Sequence, residues 1–126
     1  MVSTETNQIK KTVDSYIDGV TNRSIDRFLE SWHPEARMSS IREGKLSIVP
    51  RSFWEEWCKK PSEDVVISSE IKSIDIAGTV AMAKVEVVRE SSDVIRTLTD
   101  YLTLLRVSSN RWEIINKSFH AEAVSK

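Results

Sequence analysis

Two side chains near the C-terminus, Asp100 and His120, are the pair with which this chain could perform acid-base chemistry. Carboxyl and imidazole groups exchange protons with substrates in many enzymes, and histidine titrates near neutral pH without help. Asn116 and Ser118 precede His120 at even spacing and add hydrogen-bonding groups. Whether these four residues form a site depends on the elements that position them.

The four candidates fall on two segments in which apolar and polar side chains alternate, as in strands with one buried face. The shared face of the first strand consists of Leu98, Asp100, Leu102 and Leu104. The shared face of the second consists of Trp112, Ile114, Asn116, Ser118 and His120. We assign both faces to the interior, because they carry the leucines and the tryptophan. An apolar inner face then has four polar groups at one end.

The register of these two strands predicts which of the groups meet. A hairpin that pairs Val107 with Arg111 places Asp100 opposite Ser118 and puts His120 on a diagonal within reach of Asp100. A buried carboxylate or imidazole without a partner is costly, so these groups need one another, water or a ligand.

Each group also has a purely structural interpretation. Asp100 is either a pocket acid or a buried carboxylate bonded to Ser118 or His120. His120 is either a general base or a residue at the rim of the sheet. Asn116 and Ser118 either orient a ligand or bridge strands and waters.

Three helices are predicted before the sheet. The first carries an apolar stripe at helical spacing, formed by Ile9, Val13, Tyr16, Ile17 and Val20. The second begins after an N-cap at Ser24, buries Phe28 and Trp32, and is stopped by Pro34. Pro50 opens the third, which presents Phe53, Trp54 and Trp57.

Strands are predicted over most of the remaining chain. A hairpin joins Ala36–Ile41 to Leu46–Val49 around Gly44. The four long strands are Val65–Ile76, Thr79–Glu90, Ile95–Val107 and Arg111–Ala121. Their short connections predict an antiparallel meander. Helices followed by a mostly antiparallel sheet make an α+β fold, which we expect to be one domain over residues 1–126.

A curved sheet of this kind is expected to enclose a small-molecule cavity, because the small residues Ala81 and Ala83 leave space opposite the helices. Its walls would be Tyr16, Phe28, Trp32, Met38 and Trp54. The outer sheet face would remain uncovered and would support a homodimer. That outer face consists of Thr97, Thr99, Tyr101, Thr103, Leu105, Ile115 and Phe119.

Composition excludes several classes of function. With 18 basic and 19 acidic residues in 126, the net charge of -1 gives no footprint for nucleic acid or an anionic membrane. Cys58 is the only cysteine, and two distant histidines offer no metal-ligand spacing. We expect neither a metal nor a cofactor. The polar N-terminus and the lack of a long apolar run predict a cytoplasmic protein without a membrane span.

Five segments of the chain resemble the nuclear transport factor 2-like superfamily, and within it the SnoaL-like group of putative lumazine-binding proteins. The segments are Tyr16–Gly19, Phe28–Ala36, Asp75–Ala81, Thr99–Leu105 and Trp112–His120. The resemblance implies a cone of curved sheet packed on three helices, and this scaffold hosts many unrelated activities.

The superfamily includes ketosteroid isomerase, which offers a test. Tyr16 is similar to the helix tyrosine of that enzyme, and Asp100 is similar to its strand acid. The catalytic base would fall within Met38–Ile41, where the sequence has no carboxylate. The resemblance to an isomerase therefore lacks its central part.

Three functions remain open. The first is binding of a small apolar or aromatic ligand, with Asp100, Asn116, Ser118 and His120 contacting its polar groups. The second is a SnoaL-like cyclase, isomerase or dehydratase in which Asp100 and His120 exchange protons with substrate. The third is a non-catalytic module that dimerises through the outer sheet face.

Overall fold

The computed structural model describes residues 3–126, which form three helices and six strands. The helices are α1 (Thr4–Asn22), α2 (Ile25–Ser31) and α3 (Ser52–Lys59). The strands are β1 (Trp32–Arg42), β2 (Lys45–Pro50), β3 (Val65–Ala77), β4 (Val80–Glu90), β5 (Val94–Ser108) and β6 (Arg111–Ser125). The predicted α+β fold, with three helices packed on a mostly antiparallel sheet, is confirmed.

The sheet has the strand order β2-β1-β6-β5-β4-β3 and does not close. The strands from β3 to β6 form the predicted antiparallel meander, and β1 and β2 form the predicted hairpin. This hairpin joins the meander through a parallel pairing of β1 with β6. The inner face of the whole sheet is therefore continuous from β2 to β3.

The helices cover one part of that inner face. The α1 stripe is buried as predicted, with Ile9, Val13 and Tyr16 at most 1% exposed. A tight approach brings α2 against α1, because a Cβ on Gly19 would lie 2.9 Å from the backbone nitrogen of Phe28. Only glycine permits that distance, so this residue sets the separation of the two helices.

Two predicted helix boundaries are wrong. Trp32 begins β1 and does not end α2, and Pro34 lies within β1 at an irregularity in its pairing with β6. Proline is tolerated in sheets at such interruptions, because no ladder hydrogen bond is required of it there. Pro50 ends β2, and α3 begins two residues later at Ser52.

A β-bulge in β6 changes which side chains face the helices. Thr103 pairs with Asn116 and Leu104 pairs with Ile114, so Ile115 has no partner across β5. An extra residue in one strand reverses the in-and-out alternation beyond it. Asp100 consequently lies opposite Phe119 instead of Ser118, and the predicted register is wrong from this point on.

The predicted cavity opposite the small residues of β4 is also misplaced. Ala81 and Ala83 are 2% and 0% exposed and belong to the continuous apolar core. Over residues 3–126, no helix combines the length and apolar character that a membrane crossing requires.

Candidate functional site

A buried polar chain crosses the interior from α1 to β6. The Tyr16 hydroxyl donates a 2.7 Å hydrogen bond to Asp100 Oδ2, and Lys117 Nζ donates one of 2.7 Å to Tyr16 Oη. Lys117 Nζ also lies 3.6 Å from Asp100 Oδ1. The Lys117 and Asp100 side chains are 2% and 1% exposed. The Asp100 carboxylate thus has a cation and a phenol as partners, as a buried charge requires.

Burial shifts the protonation equilibria of Tyr16 and Lys117. Desolvation, followed by the Asp100 charge and hydrogen bond, raises the pKa of Tyr16 well above 10.0. Desolvation lowers the pKa of Lys117, while the Asp100 carboxylate acts in the opposite direction. The phenol therefore stays protonated and can donate to the carboxylate far into the alkaline range.

Aromatic rings enclose the polar chain on the helical side. Phe28 stacks on Trp32 with ring centroids 4.9 Å apart, and Trp54 lies 5.0 Å from Phe28. The Lys117 ammonium sits 4.7 Å from the ring centroids of both Trp54 and Phe119. Cations are attracted to aromatic faces at such distances, so the rings help to hold the buried ammonium.

A cleft of about 360 Å³ opens between α3 and the inner faces of β1, β2, β4, β5 and β6. Its aromatic lining consists of Phe53, Trp54, Trp57 and Phe119. Its charged lining consists of Arg42, Arg89, Arg96 and Lys117. The remaining lining residues are Met38, Ser40, Ile41, Ser47, Val49, Leu98 and Ala121. The cleft is thus walled by rings and cations, with Lys117 linking it to the buried carboxylate.

The arginines of the cleft differ in how they are paired. Arg96 Nη1 contacts both carboxylate oxygens of Asp64, at 3.4 and 3.3 Å. Arg89 lies directly across from Arg96 on the neighbouring strand, and its buried Nε has no hydrogen-bond partner in the described chain. Burial lowers the pKa of Arg89, with Asp64 opposing this. A guanidinium nevertheless keeps its charge at neutral pH.

One arginine outside the cleft fixes the wall that α3 provides. Arg23 adopts a left-handed conformation at the end of α1, with φ of 51°. Its guanidinium donates to the carbonyl oxygens of Trp57 and Lys60 at 2.6 and 2.8 Å. It also lies 3.8 Å from the Trp57 ring centroid. The C-terminal carbonyls of α3 are therefore capped from α1, and Trp57 is held in place at the cleft.

The structure separates the four polar candidates of the sequence. Asp100 faces inward as predicted, but Asn116, Ser118 and His120 lie beyond the bulge on the outer face. There Ser118 shares a 2.8 Å hydrogen bond with Ser39 Oγ and accepts one of 3.2 Å from Asn116. His120 is 69% exposed and lies 2.7 Å from Glu122. The predicted contact between Asp100 and His120 is wrong.

The five predicted wall residues divide into two groups. Met38 and Trp54 line the cleft. Tyr16, Phe28 and Trp32 lie in the closed core beneath it, at most 1% exposed, and do not reach it. Phe119, which was predicted to face outward, lines the cleft because it follows the bulge.

Sequence reasoning missed Lys117, Arg89 and Arg96 as lining residues. A signal for the first was present: the apolar positions of β6 change from even numbers at Trp112 and Ile114 to an odd number at Phe119. Such a change of parity within a strand indicates a bulge. Among residues 3–126, no group of three or more His, Cys, Asp and Glu side chains is arranged to hold a metal ion.

Comparison with known proteins identifies the family. Residues 4–120 match the model of the family described as "Putative lumazine-binding". The chain belongs to this family. Solved structures of the nuclear transport factor 2-like superfamily share its fold. No curated protein gives a significant match to it.

Three solved structures illustrate the likeness in fold. A nuclear transport factor 2-like protein of unknown function from Shewanella baltica OS155 has a TM-score of 0.79 and 21% identity, with 94% of each chain covered. A similar protein from Methylobacillus flagellatus KT has a TM-score of 0.75 and 24% identity, covering 97% of this chain and 95% of its own. Hexachlorocyclohexane dehydrochlorinase LinA-type3 from Novosphingobium barchaimii LL02 has a TM-score of 0.79 at 8% identity, covering 97% of this chain and 90% of its own. These identities support a common fold, not a common reaction.

Proposed function

We propose that this protein binds a small apolar or aromatic molecule in the cleft between α3 and the inner face of the sheet. The observation that carries the proposal is the cleft itself, with a volume of about 360 Å³ and four aromatic side chains in its lining. Ligand sites commonly have volumes of 300–1,000 Å³, mostly apolar walls and a few convergent polar groups. Membership of a family named for lumazine binding supports the same class of function.

Flat ligands fit the arrangement of the rings. Trp54 and Trp57 are perpendicular, with centroids 4.9 Å apart, so one ring can present its face where the other presents an edge. Phe119 continues this apolar surface on β6, next to the ammonium of Lys117. A planar molecule would bury its faces against these side chains and place a polar edge near the cations.

The catalytic alternative would use acid-base chemistry at Asp100 and His120. It needs both groups in one cavity, whereas they lie on opposite faces of the sheet and His120 is directed to solvent. Asp100 is occupied by Tyr16 and Lys117 beneath the cleft floor. These observations favour binding over the proposed proton exchange. The direct check is His120→Asn, at an exposed position, which would abolish turnover of a true substrate if the catalytic alternative were correct.

A fluorescence titration tests the binding proposal. Lumazine and other flat heterocycles are added to the protein, and quenching or a shift of tryptophan emission is followed. We expect saturable binding by at least one compound, because Trp54 and Trp57 line the cleft. Ala121→Phe would fill the cleft from an exposed position of β6 and should abolish that binding.

The neighbouring substitution Glu122→Phe is the matched control. It adds the same ring one residue away on the outer face of β6, and it should leave binding unchanged. Equal binding by the wild type and Ala121→Phe would place the ligand elsewhere. Absence of any saturable change across the panel would contradict the proposal.

We also propose that the outer sheet face joins two copies of the chain. Val80, Met82, Tyr101 and Leu105 are 38–47% exposed there on the adjacent strands β4 and β5, and no described helix covers them. An apolar patch on a self-complementary surface is typical of two-fold symmetric dimers. The cytoplasmic location predicted from the sequence stays a prediction.

A further inference from the structure

The polar lining of the cleft has one sign of charge. Arg42, Arg89, Arg96 and Lys117 contribute to it, and none of its lining residues is an aspartate or a glutamate. Two of the four cations have carboxylate partners outside the lining, since Arg96 is bonded to Asp64 and Lys117 is paired with Asp100. The cleft therefore keeps a positive excess after these pairs are counted.

In the described part of the chain, the two lining cations without a carboxylate partner are Arg42 and Arg89, and of these Arg89 is the one partly buried inside the cleft. Within residues 3–126 its side chain forms no salt bridge and its buried Nε donates to nothing, while Asp64, whose charge acts on Arg89, is paired with Arg96. Arg42 is exposed at the end of β1 and can be satisfied by water, whereas Arg89 is partly buried at the inner end of β4. A guanidinium without an acceptor costs free energy, and because the Arg89 side chain lines the cleft, its other N–H groups can donate to a ligand oxygen there.

The position of Arg89 also argues against a purely structural role for this residue. It lies directly opposite Arg96 in the β4–β5 ladder, on the same face of the sheet. Like charges placed opposite each other across two strands destabilise the pairing. Two facing guanidinium groups next to aromatic rings are instead an arrangement that an anion would stabilise.

A second unpartnered donor belongs to another lining residue of the cleft. Trp54 Nε1 is buried and has no hydrogen-bond partner in the described chain. Within residues 3–126, two lining residues of the cleft have a buried polar side-chain atom without a partner. These atoms are Trp54 Nε1 and Arg89 Nε, and both are hydrogen-bond donors. The indole N–H groups of Trp32 and Trp112 are also buried without a partner among the described residues, outside this cleft, so Arg89 is the donor that distinguishes it.

We infer that the cleft takes a small organic acid whose carboxylate is bound by Arg89 and whose apolar or aromatic body lies against Trp57, Trp54 and Phe119. The inference rests on the proposed binding function and specifies the ligand class. Guanidinium is suited to this role because its planar fork matches a carboxylate with two parallel hydrogen bonds. The ring of Trp57 lies 5.5 Å from the Arg89 guanidinium, so the acid and the body of one small molecule can reach both.

The test compares two probes of nearly equal shape, naphthoate and naphthamide, by tryptophan fluorescence titration. We expect naphthoate to bind about ten-fold more tightly or better, because a charge-assisted hydrogen bond replaces a neutral one. The advantage should shrink as salt is added, since salt screens the attraction between charges. Equal affinity, or tighter binding of the amide, would overturn the inference and leave the proposed function intact. If neither probe binds and no heterocycle of the panel binds, both the inference and the proposed function are overturned.

Substitutions of Arg89 test whether this residue causes the preference for naphthoate over naphthamide. Arg89→Met should remove the preference for naphthoate while leaving the affinity for naphthamide within about two-fold. Arg89→Lys should keep part of the preference, because a point charge remains but the planar fork is lost. Arg37→Met, on the outer face of β1, is the control and should change neither affinity.

The unfolding midpoint of Arg89→Met without ligand supplies an independent readout. Loss of one of two facing cations should leave the midpoint in denaturant unchanged or higher, which a purely structural arginine would not allow. A lower midpoint together with unchanged naphthoate affinity in Arg89→Lys would contradict the assignment.

Discussion

At the residue scale, Asp100 and Lys117 place opposite charges side by side beneath the aromatic rings of the core. Removing one member of a buried pair leaves the other without compensation, which typically costs about 3–5 kcal/mol. We therefore expect Lys117→Met and Asp100→Asn each to lower the free energy of unfolding by about that amount, as measured in urea. The double variant should lose much less than the two single losses combined.

Lys72→Met is the matched control for this cycle. Lys72 lies on β3 with 40% of its side chain exposed and contacts Glu70 at the surface. Surface substitutions of this kind change stability by about 0.5 kcal/mol or less. A loss for Lys117→Met no larger than that for Lys72→Met would show that the buried pair is not a structural requirement.

The phenol of Tyr16 should give a pH-dependent signature. Its pKa is raised well above 10.0 in the folded protein, chiefly by burial and then by Asp100. A group with a raised folded pKa contributes stability below its unfolded pKa and loses that contribution as pH rises through the folded value. The stability advantage of the wild type over Tyr16→Phe should hence fall above pH ~10.

Ultraviolet absorbance of tyrosinate checks this directly. The folded wild type should show a late ionisation that is missing in Tyr16→Phe, and denaturant should move it to the ordinary range of a phenol. Identical alkaline titrations of the folded wild type and Tyr16→Phe would contradict the buried hydrogen bond to Asp100.

Single-residue roles were only partly predictable from the sequence. The inward direction of Asp100 followed from the leucines on its face, and the burial of Tyr16 followed from the helical stripe. The partner Lys117 was not foreseen, because a lysine is rarely buried and the bulge that turns it inward lies two residues before it. Partners across 84 or 101 positions of sequence depend on tertiary packing that alternation alone does not encode.

At the element scale, α3 is short and relies on its neighbours. Arg23 caps its last carbonyls and lies over Trp57, so α1 holds the helix that forms one wall of the cleft. Arg23→Leu should lower the free energy of unfolding by about 1.5–3 kcal/mol, the usual worth of hydrogen bonds from a charged group. Amide hydrogen exchange in residues 52–59 should become faster than in the rest of the protein.

Arg27→Leu serves as the comparison for Arg23→Leu. Arg27 is an exposed arginine of α2 that pairs with Asp18 and Glu30 at the surface. Exposed ion pairs of this type contribute at most about 1 kcal/mol, and α3 exchange should be unaffected. Unchanged exchange in α3 after Arg23→Leu would mean that the cap does not position the helix.

The helices and strands were easier to predict from the sequence than their boundaries and irregularities. The strands of the meander followed from a periodicity of two residues. The apolar faces of α1 and α2 followed from a periodicity of about four residues. The errors fall at irregularities: Trp32 at the change from α2 to β1, Pro50 at the end of β2, and Ile115 at the bulge. Each depends on a pairing between distant strands, which local preferences do not determine.

At the scale of the whole molecule, the two faces of the sheet have different roles in this account. The inner face carries the cleft, and the outer face carries the apolar patch for which we propose self-association. Tyr101→Lys would place a charge in that patch, at a position 43% exposed. Sedimentation equilibrium should show a dimer for the wild type and a shift toward monomer for the variant.

Thr21→Lys introduces the same charge at an exposed position of α1 and should leave the mass in solution unchanged. A wild-type monomer at high concentration would contradict the dimer proposal without affecting the cleft. Equal association of Tyr101→Lys and the wild type would place the contact on another surface.

The four tryptophans allow the most direct test of the binding cleft. Trp54 and Trp57 line it, Trp32 lies in the closed core, and Trp112 lines a different depression near Gln8 and Arg111. Each indole N–H gives its own signal in a proton–nitrogen correlation spectrum, which can be recorded while naphthoate is added. We predict saturable shifts of the Trp54 and Trp57 signals, with the Trp112 signal unmoved. Shifts confined to Trp112, or no saturable shift at any indole, would contradict the account.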